Sequence, residues 1–238
     1  TRVLVSATLD HRVPPFLINS GKGWATAEYS MLPCATPGRS TREVSRGRPS
    51  GRSSEIQRLI GRSLRAVLDL EALSEHTLTI DCDVLQADGG TRTASITGAY
   101  VAAVQTLAQA LLQRDLKRWP FTGQVAAISV GIVDGVPLLD LDAPEDQSAE
   151  VDMNVIATAD GNVVEIQGTG EKRSFSRQEL DQLVDLALGA IPDLARFQNE
   201  ALAEILADIE GARNGRTRVA TEPKDERDLW GKPPTSRE

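Results

Sequence analysis

The sequence predicts one α+β domain with a mixed, α/β-like sheet, and three patterns support this prediction. Residues 1–10 and 78–84 alternate apolar with polar side chains, as half-buried strands do. Residues 53–73 carry apolar side chains at helical spacing between these two strands. Asp-Gly pairs at 134–135 and 160–161 have apolar residues on both sides, which is typical of hairpins. Strands joined by a helix and strands joined by hairpins together favour a mixed sheet.

The first two predicted helices differ in composition. In residues 53–73, Arg58, Arg62 and Arg65 share a face that the apolar side chains leave free. Residues 97–112 predict a second helix, and the small side chains at its start allow it to pack closely on a sheet. We therefore expect two sheet-covering helices, the first with a basic outer face.

The last predicted helices follow the second hairpin. Ser176 and Glu179 match a capping box, which predicts that a helix begins there. Proline lacks the amide hydrogen that an inner helical turn needs, so Pro192 predicts an interruption. We expect a separate last helix that ends near Ile209.

Composition limits the functions that the chain can have. The chain has 238 residues, 40% of them apolar, which is enough for a core, and its formal net charge is −8. Binding to nucleic acid therefore needs a local basic patch. Residues 39–65 supply one with eight arginines against two acids, whereas residues 134–152 hold seven acids and no base. Residues 211–238 are charged and poor in apolar periodicity, so we expect a domain at 1–210 and a flexible tail.

Three further features concern the setting of the protein. Two cysteines, Cys34 and Cys82, make no disulfide framework, which favours a reducing, cytoplasmic location. No apolar run approaches the roughly 20 residues of a membrane helix, so we expect no membrane partner. The chain begins without methionine inside a strand pattern, and we expect that its start is missing.

The stretch QADGGTRTASITGA, residues 86–99, points to an anion site. Its two glycines allow close approach to the backbone, and a helix beginning near Thr97 would direct its positive end at the ligand. Arg92 in this stretch and Arg52, just before the first helix, supply planar guanidiniums that match phosphate oxygens. The alternative is a pair of surface arginines beside an ordinary turn.

The acidic segment EDQSAEVDMN points to a cation. Asp152 lies on a predicted strand and Asp146 in the loop before it. Two such carboxylates suit Mg²⁺, which keeps several waters and also takes substrate phosphates as ligands. The alternative is a solvated acidic loop. A cation near arginines that hold a second phosphate is what phosphoryl transfer at an internucleotide bond requires.

Four long blocks of the sequence resemble the ribonuclease PH family, the bacterial phosphorolytic exoribonucleases that trim tRNA 3′ ends. The likeness extends from residue 1 to about 206. More distantly, the chain is similar to the catalytic cores of polynucleotide phosphorylase and the exosome ring. The blocks are GKGWATAEYSMLP, SGRSSEIQRLIGRSLRAVLDL, IDCDVLQADGGTRTASITGA and PEDQSAEVDMNVI.

The resemblance implies a fold similar to the second domain of ribosomal protein S5 and a homo-hexameric ring built as a trimer of dimers. It also implies a reversible, Mg²⁺-dependent reaction with inorganic phosphate as co-substrate. In that reaction an RNA 3′ end is shortened by one nucleotide, which leaves as a nucleoside diphosphate. The implied substrates are tRNA precursors and other RNA 3′ ends, including ribosomal RNA.

The resemblance also implies three groups of site residues, assigned by position. Those that match the family's phosphate site are Arg52, Gly90, Thr91 and Arg92. Those that match the catalytic, metal-holding carboxylates are Asp146 and Asp152. Those that match arginines holding tRNA outside the active site are Arg39 and Arg42.

One departure from the family and one alternative function remain at this point. Cys34 stands where the family usually has a third tRNA-binding arginine, so we expect a weaker hold on RNA without loss of chemistry. The alternative to an active exoribonuclease is a catalytically silent, RNA-binding ring subunit. Silent subunits lose the phosphate arginines or the carboxylates, and this chain keeps both sets.

Overall fold

The computed structural model describes residues 1–213, in which the chain forms seven strands and four α helices. The strands are β1 (Arg2–Asp10), β2 (Trp24–Met31), β3 (Thr77–Gln86), β4 (Val125–Val133), β5 (Val136–Leu139), β6 (Val151–Thr158) and β7 (Val163–Gly170). The helices are α1 (Gly51–Arg65), α2 (Thr91–Leu112), α3 (Ala143–Ser148) and α4 (Arg177–Arg213). The predicted α+β class is confirmed. Helix α4 passes the predicted domain boundary at 210, and residues 214–238 of the predicted tail lie outside the described residues.

The first sheet has the strand order β1-β3-β2 and is mixed, as the sequence predicted. β1 runs antiparallel to β3, and β2 runs parallel to it. A parallel pair needs a long crossover, which α1 supplies while it packs against β2. The strand β2 was not predicted, because its buried face consists mainly of the small side chains Ala25 and Ala27 with Tyr29.

The second sheet is antiparallel throughout, with the order β5-β4-β6-β7. Both predicted hairpins are confirmed. Asp134 and Gly135 have φ angles of 50° and 74°, the positive values that a two-residue turn between twisted strands requires. Gly161, with a φ of 87°, has the same function in the second hairpin. The sequence analysis expected a single mixed sheet, whereas the structure divides the strands between two.

Helix α2 forms the centre of the fold. It packs against β1, β4 and α4, and Ile96, Val104 and Leu107 are fully buried. By length and mean hydropathy alone, Thr91–Leu112 could cross a membrane, contrary to the expectation that no apolar run reaches such a length. A helix between two sheets is apolar because it lies in the core, which explains the composition of α2 without a membrane.

The start of α2 differs from its prediction near Thr97, since the helix begins at Thr91. Gly90, with a φ of 55°, is the N-cap residue. The polar residues that follow resemble a loop in sequence, but their hydroxyls bond within the helix. Thr93 Oγ1 donates to the Gly90 carbonyl at 2.9 Å, and Ser95 Oγ donates to the Thr91 carbonyl at 2.8 Å. The first turn of α2 therefore includes the candidate phosphate-binding residues that the sequence analysis placed before the helix.

The prediction that α1 extends to residue 73 is wrong, because the chain leaves the helix after Arg65. Leu68 pairs with Phe121 as an isolated β bridge, and the Asp69 amide donates to the Pro120 carbonyl at 2.8 Å. Residues 66–73 thus join the segment that follows α2, and four of their apolar side chains are buried without helical geometry, namely Val67, Leu68, Ala72 and Leu73.

The predicted interruption at Pro192 is also wrong, because α4 runs through this residue. An internal proline costs a helix about 3 kcal/mol, so packing on both sides must offset the loss. Leu183 and Ile191, before the proline in the helix, are buried, and so is Leu202 after it. The capping box of Ser176 with Glu179 at the start of this helix is confirmed.

Gln198 joins α4 to the rest of the core. Its side chain is 2% exposed, and its Nε2 donates to the carbonyls of Thr97 at 2.9 Å and Val125 at 3.0 Å. Its Oε1 accepts from Gln124 Nε2 at 2.8 Å. This single amide therefore bonds to α2, to β4 and to the segment before β4.

The first prediction concerns this buried amide. Gln198→Leu should lower the free energy of unfolding by about 1–3 kcal/mol, since it leaves buried polar groups without partners. The neighbouring exposed Asn199→Leu is the control and should change it by less than about 0.5 kcal/mol. Urea unfolding at a fixed protein concentration measures both. Equal losses in the two variants would contradict the assigned role of Gln198.

Candidate functional site

An open cleft of about 780 Å³ lies where the start of α2 meets the second sheet. Its walls come from α1, α2, α3, β6, β7 and the segment after β7. The cleft brings together four of the predicted site residues, which come from distant parts of the sequence. They are Arg52, Arg92, Asp146 and Asp152.

Two arginines at helix starts form the basic side of the cleft. Arg52 lies exposed in the first turn of α1, and Arg92 lies in the first turn of α2 with 20% of its side chain exposed. Arg92 Nη1 donates to Gln167 Oε1 at 3.1 Å and lies 3.7 Å from Glu55 Oε2. Among the described residues, no side chain of the N-cap position accepts a hydrogen bond at the start of α2, because that residue is Gly90.

Two aspartates form the acidic side. Asp152 lies on β6, as predicted, whereas Asp146 lies in the short helix α3 and not in a loop. Helix α3 was missed because it is only six residues long, although Asp142 and Glu145 form a full capping box at its start. Helical geometry therefore fixes the position of Asp146.

The environment of Asp152 favours a bound cation. The pKa of its carboxyl is raised, first by burial and then by the nearby charge of Asp146. Arg92 and Arg52 act in the opposite direction, but the net shift is upward. The ionised form of Asp152 is therefore destabilised, and a nearby positive charge would stabilise it.

The donor set fits Mg²⁺ better than a metal held only by protein ligands. Within residues 1–213, no group of three or more His, Cys, Asp or Glu side chains could hold a metal ion. A pair of carboxylates is sufficient for Mg²⁺, because waters and substrate phosphates complete its shell. Among the described residues, four acidic and three basic side chains line the cleft, so it carries a small excess of negative charge.

Gly90 and Thr91 do not line the cleft, although they adjoin Arg92. Thr91 is 8% exposed, and its Oγ1 accepts from the Tyr29 hydroxyl at 2.9 Å. Burial raises the pKa of Tyr29, while the hydrogen bond to Thr91 and the charges of the two cleft arginines lower it. Thr91 thus anchors the start of α2 to the first sheet through its side chain.

Arg39 and Arg42 lie outside the cleft, on the exposed segment between β2 and α1. Glu43 holds this segment to the start of α1. Its carboxylate accepts from the Ser50 amide at 3.1 Å and from Ser53 Oγ at 2.8 Å. The exposed segment is therefore tied to the same helix start that carries Arg52.

The cleft also contains polar residues that the sequence analysis did not identify. Asp152 and Asn154 share one face of β6, and they pair with Thr169 and Gln167 on β7. The signal was an asparagine inside an otherwise apolar strand, on the same face as the predicted carboxylate. Lys172 also lines the cleft, just after the end of β7.

Two solved structures resemble the chain in fold. Rrp46 from rice (Oryza sativa) matches with a TM-score of 0.65 and 16% identity over 84% of this chain and 83% of that one. The Archaeoglobus fulgidus exosome with RNA bound to its active site matches with a TM-score of 0.64 and 20% identity, over 82% and 77%. These likenesses confirm the predicted fold.

Sequence relatives define the family more closely. The models of the 3′ exoribonuclease family match residues 1–107 (domain 1) and 123–190 (domain 2). Ribonuclease PH of Bacillus mycoides (strain KBAB4) is 57% identical over 212 residues, which cover 88% of this chain and 86% of the relative. The protein of the same name from Bacillus cereus (strain B4264) is 56% identical with the same coverage. The chain therefore belongs to the ribonuclease PH family of phosphorolytic 3′→5′ exoribonucleases.

Proposed function

We propose that the cleft trims the 3′ ends of tRNA precursors and other RNAs, with inorganic phosphate as the attacking group. The observation that carries this proposal is the meeting of two arginines and two carboxylates in one cleft, each pair drawn from separate elements. One pair suits a free phosphate and the other suits a cation beside the scissile phosphate. A silent ring subunit is not favoured, because both pairs are present.

The bond changes balance without a protein base. An oxygen of phosphate bonds to the phosphorus of the last internucleotide linkage, and the bond from that phosphorus to the preceding 3′ oxygen breaks. The last nucleotide leaves as a 5′-diphosphate, and the 3′ oxygen of the shortened RNA takes up a proton, from the phosphate or from water, to become a hydroxyl. Phosphate is anionic at neutral pH, so no side chain needs to deprotonate it.

Arg52 and Arg92 position the phosphate. Each guanidinium presents parallel N–H donors that match two phosphate oxygens. Holding the nucleophile in line with the scissile bond replaces a chance encounter between two anions with a fixed geometry. The hydrogen bond from Arg92 to Gln167 restricts the orientation of one guanidinium before phosphate binds.

Asp146 and Asp152 are the residues that would hold Mg²⁺. When bound, the ion neutralises charge on the scissile phosphate and its leaving oxygen. The raised pKa of Asp152 means that protons compete with the cation for this carboxylate. The excess negative charge of the cleft also means that two anionic substrates require added positive charge.

RNA binding, assembly and location complete the proposal. Arg39 and Arg42 hold tRNA outside the cleft, and the family assembly would be a hexamer built as a trimer of dimers. Leu4 is 60% exposed on β1, an edge strand of the first sheet, and an exposed apolar side chain on an edge strand supports contact with another copy of the chain.

The two cysteines fit a reducing, cytoplasmic location, since both are free thiols, Cys34 exposed and Cys82 buried.

The second prediction tests the reaction itself. A 3′-extended tRNA, incubated with the protein and Mg²⁺, should release nucleoside diphosphates only when inorganic phosphate is present. Chromatography of the released nucleotides measures this result. Monophosphates released without phosphate would indicate hydrolysis and overturn the assignment, and RNA that is bound but not shortened would indicate a silent subunit.

The third prediction concerns the guanidinium of Arg92. Arg92→Lys keeps the charge but loses the paired donors, so the KM for phosphate should rise about tenfold or more. Arg58→Lys is the matched control, because Arg58 is exposed on α1 and does not line the cleft. Initial rates at varied phosphate and saturating RNA measure both. An unchanged KM for phosphate in Arg92→Lys would remove Arg92 from the phosphate site.

The fourth prediction concerns Asp152 and Mg²⁺. Because its pKa is raised above the usual 3.8, Mg²⁺ affinity should fall as the pH is lowered through a value above 3.8. Asp152→Asn should weaken Mg²⁺ binding at least about tenfold at neutral pH, as expected when one of two carboxylate ligands is lost. Asp185→Asn, an exposed change on α4, is the control. Titration calorimetry measures the affinities, and equal values for the two variants would contradict the site.

A further inference from the structure

The side-chain amide of Gln167 has a fixed orientation. Its Nε2 donates to Glu55 Oε1 at 2.9 Å and to Glu165 Oε1 at 3.1 Å. The opposite end of the amide, Oε1, accepts from Arg92 Nη1 at 3.1 Å. A reversed amide would direct its oxygen at two carboxylates and its NH₂ group at a guanidinium, so the surrounding charges permit one orientation only.

One of these two carboxylates is itself held from outside the cleft. Arg62 on α1 donates to both oxygens of Glu165, from Nε at 2.9 Å and from Nη2 at 2.7 Å. This paired geometry is the strongest that an arginine and a carboxylate form, and Glu165 is only 23% exposed. A continuous network of hydrogen bonds therefore runs from α1 through β7 to the start of α2.

The carboxylate of Glu55 lies close enough to the Arg92 guanidinium to compete with Gln167 for it. Arg92 Nη1 lies 3.7 Å from Glu55 Oε2, which is beyond hydrogen-bond distance but within the attraction of opposite charges. Without the bond to Gln167, the guanidinium is free to close on Glu55. In that position its charge would be neutralised by a protein carboxylate and would attract an incoming anion less strongly.

We propose that Gln167 is a positioning residue, which holds the Arg92 guanidinium away from Glu55 and ready to receive phosphate. The inference rests on the proposed function, in which Arg92 binds phosphate. Gln167 acts through Arg92 and not on the RNA. Its loss therefore affects the use of phosphate selectively.

The test begins with Gln167→Met, which keeps the length of the side chain but removes its polar groups. We expect the kcat/KM for phosphate to fall about tenfold, the loss typical of one hydrogen bond to a charged group. The KM for RNA should change by less than about twofold. Gln57→Met is the matched control, because its amide donates to Glu28 at 2.8 Å and does not line the cleft. A second variant, Gln167→Asn, is too short to bridge its partners and should give the same loss.

A double-substitution experiment separates positioning from a general structural effect. In an Arg92→Lys background, Gln167→Met should cause little further loss, since the group that it positions has already changed. A full, additive loss in that background would overturn the inference, as would an unchanged kcat/KM for phosphate in Gln167→Met and Gln167→Asn. If Arg92→Lys alone leaves the KM for phosphate unchanged, the proposed function fails instead.

Discussion

The cleft depends on a close approach of two backbone segments at Gly89. A Cβ atom added there would lie 2.0 Å from the Leu141 carbonyl oxygen, and the φ of Gly89 is 73°, so both space and conformation require glycine. Asp88 reinforces the contact, because its carboxylate accepts from the Ala143 amide at 3.2 Å. The segment before α3 is thereby fixed against the segment before α2. Since α3 carries Asp146 and α2 carries Arg92, this contact sets the distance between the proposed metal and phosphate groups.

Successive side chains of β6 point to opposite faces, so one face packs in the apolar core and the other lines the cleft. Val151, Met153 and Val155 face the apolar cluster formed with α4. Asp152 and Asn154 face the opposite way, toward the start of α2, where the inner face of the sheet becomes polar. The partly buried Asp152 is thus held by a strand whose other face is part of the core. Rigid placement and a raised pKa have the same origin, because burial produces both.

Local patterns predicted every described strand except β2, together with the hairpins and the capping box, because each rests on neighbouring residues. Two errors have different causes: hydroxyls that bond within the helix allow α2 to begin at Thr91, whereas tertiary packing keeps α4 intact through Pro192. Residue patterns and the resemblance together identified four charged residues of the cleft, which are Arg52, Arg92, Asp146 and Asp152. They did not identify Gln167, whose position depends on the pairing of β6 with β7. Strand register is a long-range property that spacing along one segment does not contain.

The proposed reaction depends on balancing negative charge with positive charge more than on proton transfer. Among the described residues, no histidine lines the cleft. His76 lies elsewhere, with its Nδ1 at hydrogen-bond distance from the carbonyls of Leu73 and Ser74. An anionic nucleophile that attacks an anionic phosphodiester needs positive charge from both the protein and a cation. In the proposed reaction, the opposite charges of the cation and the phosphate make the binding of each favour the binding of the other. By thermodynamic linkage this coupling is reciprocal, so the carboxylates contribute to phosphate binding and the arginines to cation binding.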